Sequence, residues 1–304
     1  MLAITVNTER GERLARVSAD RLGELVRRIG DEGDRFLVVE RIPELPDVFA
    51  QVWHEVGGDY QVEYRAGSAD RHFGASAPDP GRVAEFLLRW SREERDWDAG
   101  LAWERVDFGP AADPAPELPE DIRGEMEEYV RGLIACGYDG RAVLAESAEE
   151  WLVDGDVRPV SPAQARALVD RLWLERLDEQ KLWAGRTDPE RISAAFAALE
   201  QRGITAREHF TCCRTCGTAE IAGEAAEGAR GFVFFHSQCT ESAAAGHGLM
   251  LLFGAYDGTD AATISVGWDV AGALAKAGLQ LEWDGSATQA IKVTPLDWAK
   301  RLTG

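Results

Sequence analysis

Two pairs of metal-type ligands stand out in the sequence. Cys213-x-x-Cys216 is followed, after 19 intervening residues, by His236-x-x-Cys239. Three thiolates and one imidazole at this spacing resemble the paired-knuckle arrangement of a structural zinc site, in which four protein ligands close a tetrahedral shell and leave no position for water. Such an ion staples a loop and does not catalyse. Cys212 and His209 are the alternative ligands. The competing reading is packing, because a histidine that ends an apolar strand satisfies a buried hydrogen bond and free cysteines often fill cores.

The same thiols suit redox chemistry if they precede a helix, expected here over Thr218 to Glu227, because a helix N-terminus lowers a thiol pKa. A thioredoxin-type motif follows a strand in a βαβ unit, and His209-Phe210-Thr211 is too short a run to supply one. Other enzyme signatures fail on inspection. His54-Glu55 lacks the second histidine of a zinc-protease helix, and no glycine-rich phosphate loop ends in Lys-Ser/Thr. No nucleophile elbow is complete, and the zinc deaminase pattern needs a His-x-Glu that His209-Phe210-Thr211 does not provide. No catalytic residue and no organic-cofactor site is therefore assigned.

Five cysteines, an odd count with three crowded together, favour metal or thiol chemistry over a disulfide framework. Residues Met1 to Arg13 lack a cationic stretch followed by a long apolar core, so they do not read as a secretory signal and the expected location is the cytoplasm. The apolar runs, about five residues at most, fall far short of the roughly 18 that suggest a membrane span. The formal net charge of −20 argues against nucleic acid, whose phosphates require clustered Lys and Arg. A basic protein partner fits better. Trp53, Tyr60, Tyr64, Trp97 and Trp103 gather in the acidic first third and are the candidate partner-binding side chains. Core packing is the competing role, and about two thirds of them should be buried.

These residues need elements to hold them. Ser18 caps an expected helix carrying Leu22, Leu25, Val26 and Ile29; Phe36 to Val39, Val48 to Trp53 and Tyr60 to Tyr64 read as strands, the last two joined at Gly57-Gly58. Val83, Phe86, Leu87 and Trp90 form one helical stripe, and Leu101 to Phe108 is the expected closing strand. Four prolines between Gly109 and Glu120 suggest an extended linker. Helices follow on Ile122 to Ile134, around Leu144, from Ser161-Pro162, and from the capping sequence Thr187-Asp188-Pro189-Glu190 to a stop at Gly203. Phe232 to Phe235 and Leu249 to Phe253 read as buried strands with a short helix over Thr240 to Ala245 between them. A helix bearing Val270 and Leu274 comes next, then strands at Leu279 to Trp283 and Ala290 to Val293.

The stretch Asp188 to Gly217, with Arg191-Ile192, Ala195 to Leu199 and Phe210-Thr211-Cys212-Cys213-Arg214-Thr215-Cys216-Gly217, together with Gly231 to His236, Thr240-Glu241 and Leu281 to Gly285, resembles an uncharacterised actinobacterial domain family. The resemblance covers residues 120 to 304 and implies no activity. Tyr60 to Arg65, Asp70-Arg71-His72-Phe73 and Trp97 to Trp103 resemble small immunity proteins encoded beside polymorphic bacterial toxins. That resemblance implies that the first 108 residues bind and block a basic, toxin-like protein.

The expected class is α+β: an N-terminal mixed sheet with packed helices over 1–108, a Pro-rich linker over 109–120, and a domain over 121–304 that divides into a helical region (121–204) and a second α+β unit (205–304). The expected function is a non-enzymatic, immunity- or antitoxin-like interaction module with a zinc staple. The rival is a thiol- or metal-dependent enzyme or redox protein centred on Cys212 to Cys216. A structural or regulatory module without metal is the third reading.

Overall fold

The computed structural model describes residues 1–109 and 114–302. The chain forms two compact units, one built from Met1–Leu118 and Gly140–Leu174, the other from Pro119–Asp139 and Glu175–Arg301.

The first unit is a seven-stranded antiparallel sheet. Its strands are β1 (Ile4–Thr8), β2 (Arg13–Ala15), β3 (Phe36–Arg41), β4 (Val48–Trp53), β5 (Tyr60–Ala66), β6 (His72–Ala77) and β7 (Glu104–Arg105), in the order β2-β1-β3-β4-β5-β6-β7. Helix α1 (Ala19–Arg28) starts where Ser18 accepts a hydrogen bond from the Arg21 N–H at 3.1 Å, and α2 (Pro80–Ser91) starts with Pro80 behind the Asp79 cap. Both pack on the sheet face that carries Ile4, Val6, Leu37, Val39, Val52 and Val62. The two-residue period puts Tyr60, Val62 and Tyr64 on this buried face, and Gln61, Glu63 and Arg65 on the other. Each large apolar side chain fully buried there contributes about 1.5–3 kcal/mol.

Three details depart from expectation. The closing strand shrinks to Glu104–Arg105, because Leu101 and Trp103 turn into the core and the Trp103 indole donates to the Asp98 carbonyl at 2.6 Å. β6 and the β1–β2 pair have no counterpart in the sequence reading. Of the expected linker, residues 110–113 lie outside the described residues, while Glu117 accepts a hydrogen bond from Gln164 Nε2 at 3.1 Å.

The helices after that stretch are α3 (Glu120–Cys136), α4 (Arg141–Glu150), α5 (Pro162–Gln180) and α6 (Asp188–Glu200). They are shared between the units: α4 and the part of α5 up to Leu174 belong to the first. There Arg141 pairs with Glu44 at 2.8 Å and with Asp170, and the fully buried Trp173 donates to the Glu44 carbonyl at 2.8 Å.

The second unit is a five-stranded mixed sheet. Its strands are β8 (Ile204–Arg207), β9 (Gly231–Phe234), β10 (Leu249–Ala255), β11 (Leu281–Glu282) and β12 (Ile291–Val293), in the order β11-β12-β10-β9-β8. β8 and β9 run parallel; the other pairs are antiparallel. Parallel neighbours need a crossover, and here it contains the short helix α7 (Arg214–Glu220). Helices α8 (Ser237–Ala244) and α9 (Asp260–Lys276) complete the unit; α6 and α9 pack together against the sheet, and α8 packs on β10 and α3. The α+β class expected from the sequence is the class observed.

Candidate functional site

Because β8 and β9 are parallel, the chain leaves both at the same end of the sheet. The two exits are tied together. Phe210 N–H donates to the Phe235 carbonyl at 2.8 Å, Ser237 N–H to the Thr211 carbonyl at 3.1 Å, and the Ser237 hydroxyl to the Cys212 carbonyl at 3.0 Å. Between them His209 (φ +49) and Thr211 (φ +61) adopt left-handed backbone, which for a β-branched threonine costs about 1–3 kcal/mol and persists only where the surroundings impose it. These turns deliver Cys212 and Cys213 to the start of α7.

Helix α7 begins four residues earlier than the helix expected over Thr218 to Glu227, with an extended Cys213 as its N-cap and Cys216 in its first turn. The helix lies against β9 at Gly217, where a Cβ would stand 2.3 Å from the Phe234 ring. Only glycine permits that approach.

The result is a cluster of three sulfurs. The Sγ atoms of Cys212, Cys213 and Cys216 all lie within 4.8 Å of one another, and those of Cys212 and Cys216 are 3.6 Å apart. Two thiolates at about 2.3 Å from one tetrahedral ion are separated by about 3.8 Å, whereas a disulfide requires about 2.05 Å. The separation excludes a disulfide and is short enough for the two sulfurs to share a hydrogen bond or a metal ion. Cys212 is exposed, and Cys213 and Cys216 are half-exposed. The backbone N–H of Cys216, followed by the thiols of Cys216 and Cys212, holds the Cys213 thiol below its ordinary value. The Cys212 and Cys213 sulfurs push Cys216 up to about 11.

The four-ligand set expected from spacing is divided. Cys213 and Cys216 join Cys212, while His236 and Cys239 turn to each other, with Cys239 Sγ 3.3 Å from His236 Nε2. The reason is local: His236 is the N-cap of α8 and Cys239 lies three residues on, so one helical turn brings the two side chains together. Both are buried, and burial pushes the His236 imidazole down and the Cys239 thiol up, favouring a neutral pair. His209, the other alternative ligand, stacks on Tyr138 at 4.5 Å and bonds through Nδ1 to the Thr240 hydroxyl at 2.9 Å.

That histidine belongs to a polar group the sequence does not announce. The Tyr138 hydroxyl donates to Glu208 at 2.7 Å, Lys300 Nζ donates to the same carboxylate at 3.3 Å, and the Lys300 ammonium stands 4.3 Å from the Tyr138 ring centre. Burial, then the Glu208 charge, raises the Tyr138 hydroxyl far above its ordinary value. Tyr138 and Lys300 lie 70 and 92 residues from Glu208, so no local motif could reveal them.

The five candidate partner-binding aromatics do not share one exposed face. Tyr60 and Tyr64 are buried at 6% exposure, and Trp97 and Trp103 meet the Tyr64 ring edge-on at 4.7 and 4.8 Å. Trp53 alone among them is exposed, at 41%, opposite Phe36 at 39% on β3.

Residues 119–302 match a family described as a domain of unknown function, DUF6891. The chain belongs to this family. The DUF6891 region contains the three-sulfur cluster, the His236–Cys239 pair and the group around Glu208. No curated protein and no solved structure matches the chain. Among the described residues of the DUF6891 region and of the preceding unit, no helix is long and apolar enough to cross a membrane.

Proposed function

We propose that the DUF6891 region binds a thiophilic metal ion through Cys212, Cys213 and Cys216. The observation that carries this reading is the convergence of three sulfurs mutually within 4.8 Å, two of them 3.6 Å apart. A bound ion would fasten the β8–β9 crossover to the start of α7, replacing weak sulfur hydrogen bonds by coordinate bonds. The test is metal analysis of the purified, reduced full-length chain and of two variants. One equivalent of metal, lost in Cys212→Ser and kept in Cys239→Ser, supports the proposal. Failure of the metal-free protein to take up added zinc, cobalt or copper(I) in reducing buffer would sink it.

For the first unit a second reading has its own support. The exposed cross-strand pair Phe36 and Trp53, on a chain of net charge −20, favours contact with a basic protein, in line with the immunity-protein resemblance of the first 108 residues. If so, a photoreactive group at position 53 should crosslink to a basic protein at low salt and lose it at high salt. Salt-independent crosslinking, or none, would remove this reading.

A further inference from the structure

We infer that the ion held at Cys212, Cys213 and Cys216 is copper(I) in three-coordinate, all-thiolate geometry; the inference rests on the metal-binding reading and adds the class of ion. Among the described residues, the mutually close donor atoms at this place are three sulfurs, with no imidazole or carboxylate among them. Either His236 Nε2 or Cys239 Sγ would complete a tetrahedron, but neither is among the donor atoms that lie mutually within 4.8 Å, and the two face each other at 3.3 Å in buried positions. Recruiting either would displace α8, whose first residue holds the Cys212 carbonyl through the Ser237 hydroxyl.

Ligand number then selects the ion. A structural zinc ion takes four protein ligands, and one with three leaves a position to water. Soft thiolates suit copper(I), a closed-shell monovalent ion whose coordination is complete with three sulfurs in a plane. In that geometry copper–sulfur bonds of about 2.3 Å place the sulfurs about 4 Å apart, within reach of the observed cluster. The exposure of Cys212 leaves one side of the site open, so the ion can enter and leave by exchange with an incoming thiolate. Binding converts thiols to thiolates and releases their protons. No electron is transferred.

The experiment is an anaerobic titration of the reduced full-length protein with copper(I) against bicinchoninate, and in parallel with zinc, followed by X-ray absorption of the copper-loaded sample. The expected result is one copper(I) per chain with three sulfur neighbours and no fourth. Cys212→Ser, Cys213→Ser and Cys216→Ser should each weaken binding at least about tenfold, and Cys239→Ser and His236→Gln should leave it unchanged. A fourth neighbour, or loss of copper in Cys239→Ser, overturns the three-coordinate site while metal binding stands. Tight zinc uptake without capture of copper from bicinchoninate overturns the choice of ion alone. Uptake of neither ion overturns both this inference and the metal-binding reading.

Discussion

The sulfur of Cys212 stands 3.6 Å from the sulfur of Cys216, although only Cys216 belongs to the helix that follows. Four-residue contacts are routine inside a helix, but this one crosses a cap. It depends on the extended backbone of Cys213, on the left-handed Thr211, and on the Ser237 hydroxyl that holds the Cys212 carbonyl. The cluster is therefore positioned by α7 and α8 together, at the shared exit of two parallel strands.

Ser237→Ala tests that dependence. Removing the hydroxyl frees the Cys212 carbonyl without touching a sulfur, so metal affinity should fall about tenfold while global stability changes by about 1 kcal/mol or less. A competition titration and a urea unfolding curve on the same preparation would separate the two effects. Equal affinity in wild type and variant would mean that Ser237 does not position the site.

Gly217→Ala should destabilise the protein by about 1–3 kcal/mol, because the added Cβ would meet the Phe234 ring at 2.3 Å. Shrinking the obstacle should help. The double variant Gly217→Ala/Phe234→Leu is expected to recover part of the loss that the two single changes would sum to. Strict additivity of the unfolding free energies would show that the two positions do not press on each other.

Thiol reactivity should divide the five cysteines into three and two. Cys212, Cys213 and Cys216 are accessible, whereas Cys136 and Cys239 are buried, and burial pushes the Cys136 thiol up to about 11. The native metal-free protein should release three equivalents of chromophore from a disulfide reagent before unfolding, the one from Cys216 most slowly because its neighbours push that thiol up to about 11, and two more only on unfolding. A fast fourth equivalent would contradict the burial of the pair.

Tyr138→Phe removes a buried donor from Glu208 and should cost about 1–2 kcal/mol. Lys300→Met strips the same carboxylate of its countercharge and should cost more, about 2–3 kcal/mol. Since both act on one acceptor, the double variant should differ from the sum by at least about 0.5 kcal/mol. Additive losses in urea unfolding would show that they do not share the carboxylate's stabilisation.

The second unit should weaken in mild acid. Burial holds His209 below its ordinary value of 6.5 against the opposing pull of Asp139 and Glu241, and burial lowers His236 as well. As pH falls below about 6.5, the unfolded chain takes up these protons before the folded one. Stability is therefore full above that pH, is lost as pH falls through the folded values, and levels off below them. His209→Asn keeps an amide near Thr240 and suits the left-handed φ of +49, so it should flatten the slope. An unchanged slope of urea midpoint against pH would remove His209 from this account.

Much of the scaffold was legible because it follows from periodicity and caps. The stripe Val83, Phe86, Leu87 and Trp90 is the buried side of α2, and the Thr187 N–H bonds to Glu190 at 3.0 Å at the start of α6, as the capping sequence implied. β6 was not legible, since Gly74, Ala75 and Ser76 carry no apolar alternation; it is a strand because it pairs with β5, Tyr64 opposite Phe73. Trp97 and Trp103 also escaped a local reading. What decides between surface and core for them is Tyr64, which reaches both from β5.

At the site, the ingredients that lie within a few residues of one another can be read directly along the chain: three thiols at positions 212, 213 and 216, and a histidine and cysteine one helical turn apart. Their spacing limits which atoms can meet, because a turn or helix cap spans only those few residues. Which of them do meet follows from how the strands and helices pack. Parallel pairing of β8 and β9 set both exits side by side, the early start of α7 drew in Cys212, and the cap of α8 drew His236 and Cys239 toward each other. The same packing brought Tyr138 and Lys300 to Glu208 across 70 and 92 residues, since such contacts depend on strand order and helix packing, which no local spacing records.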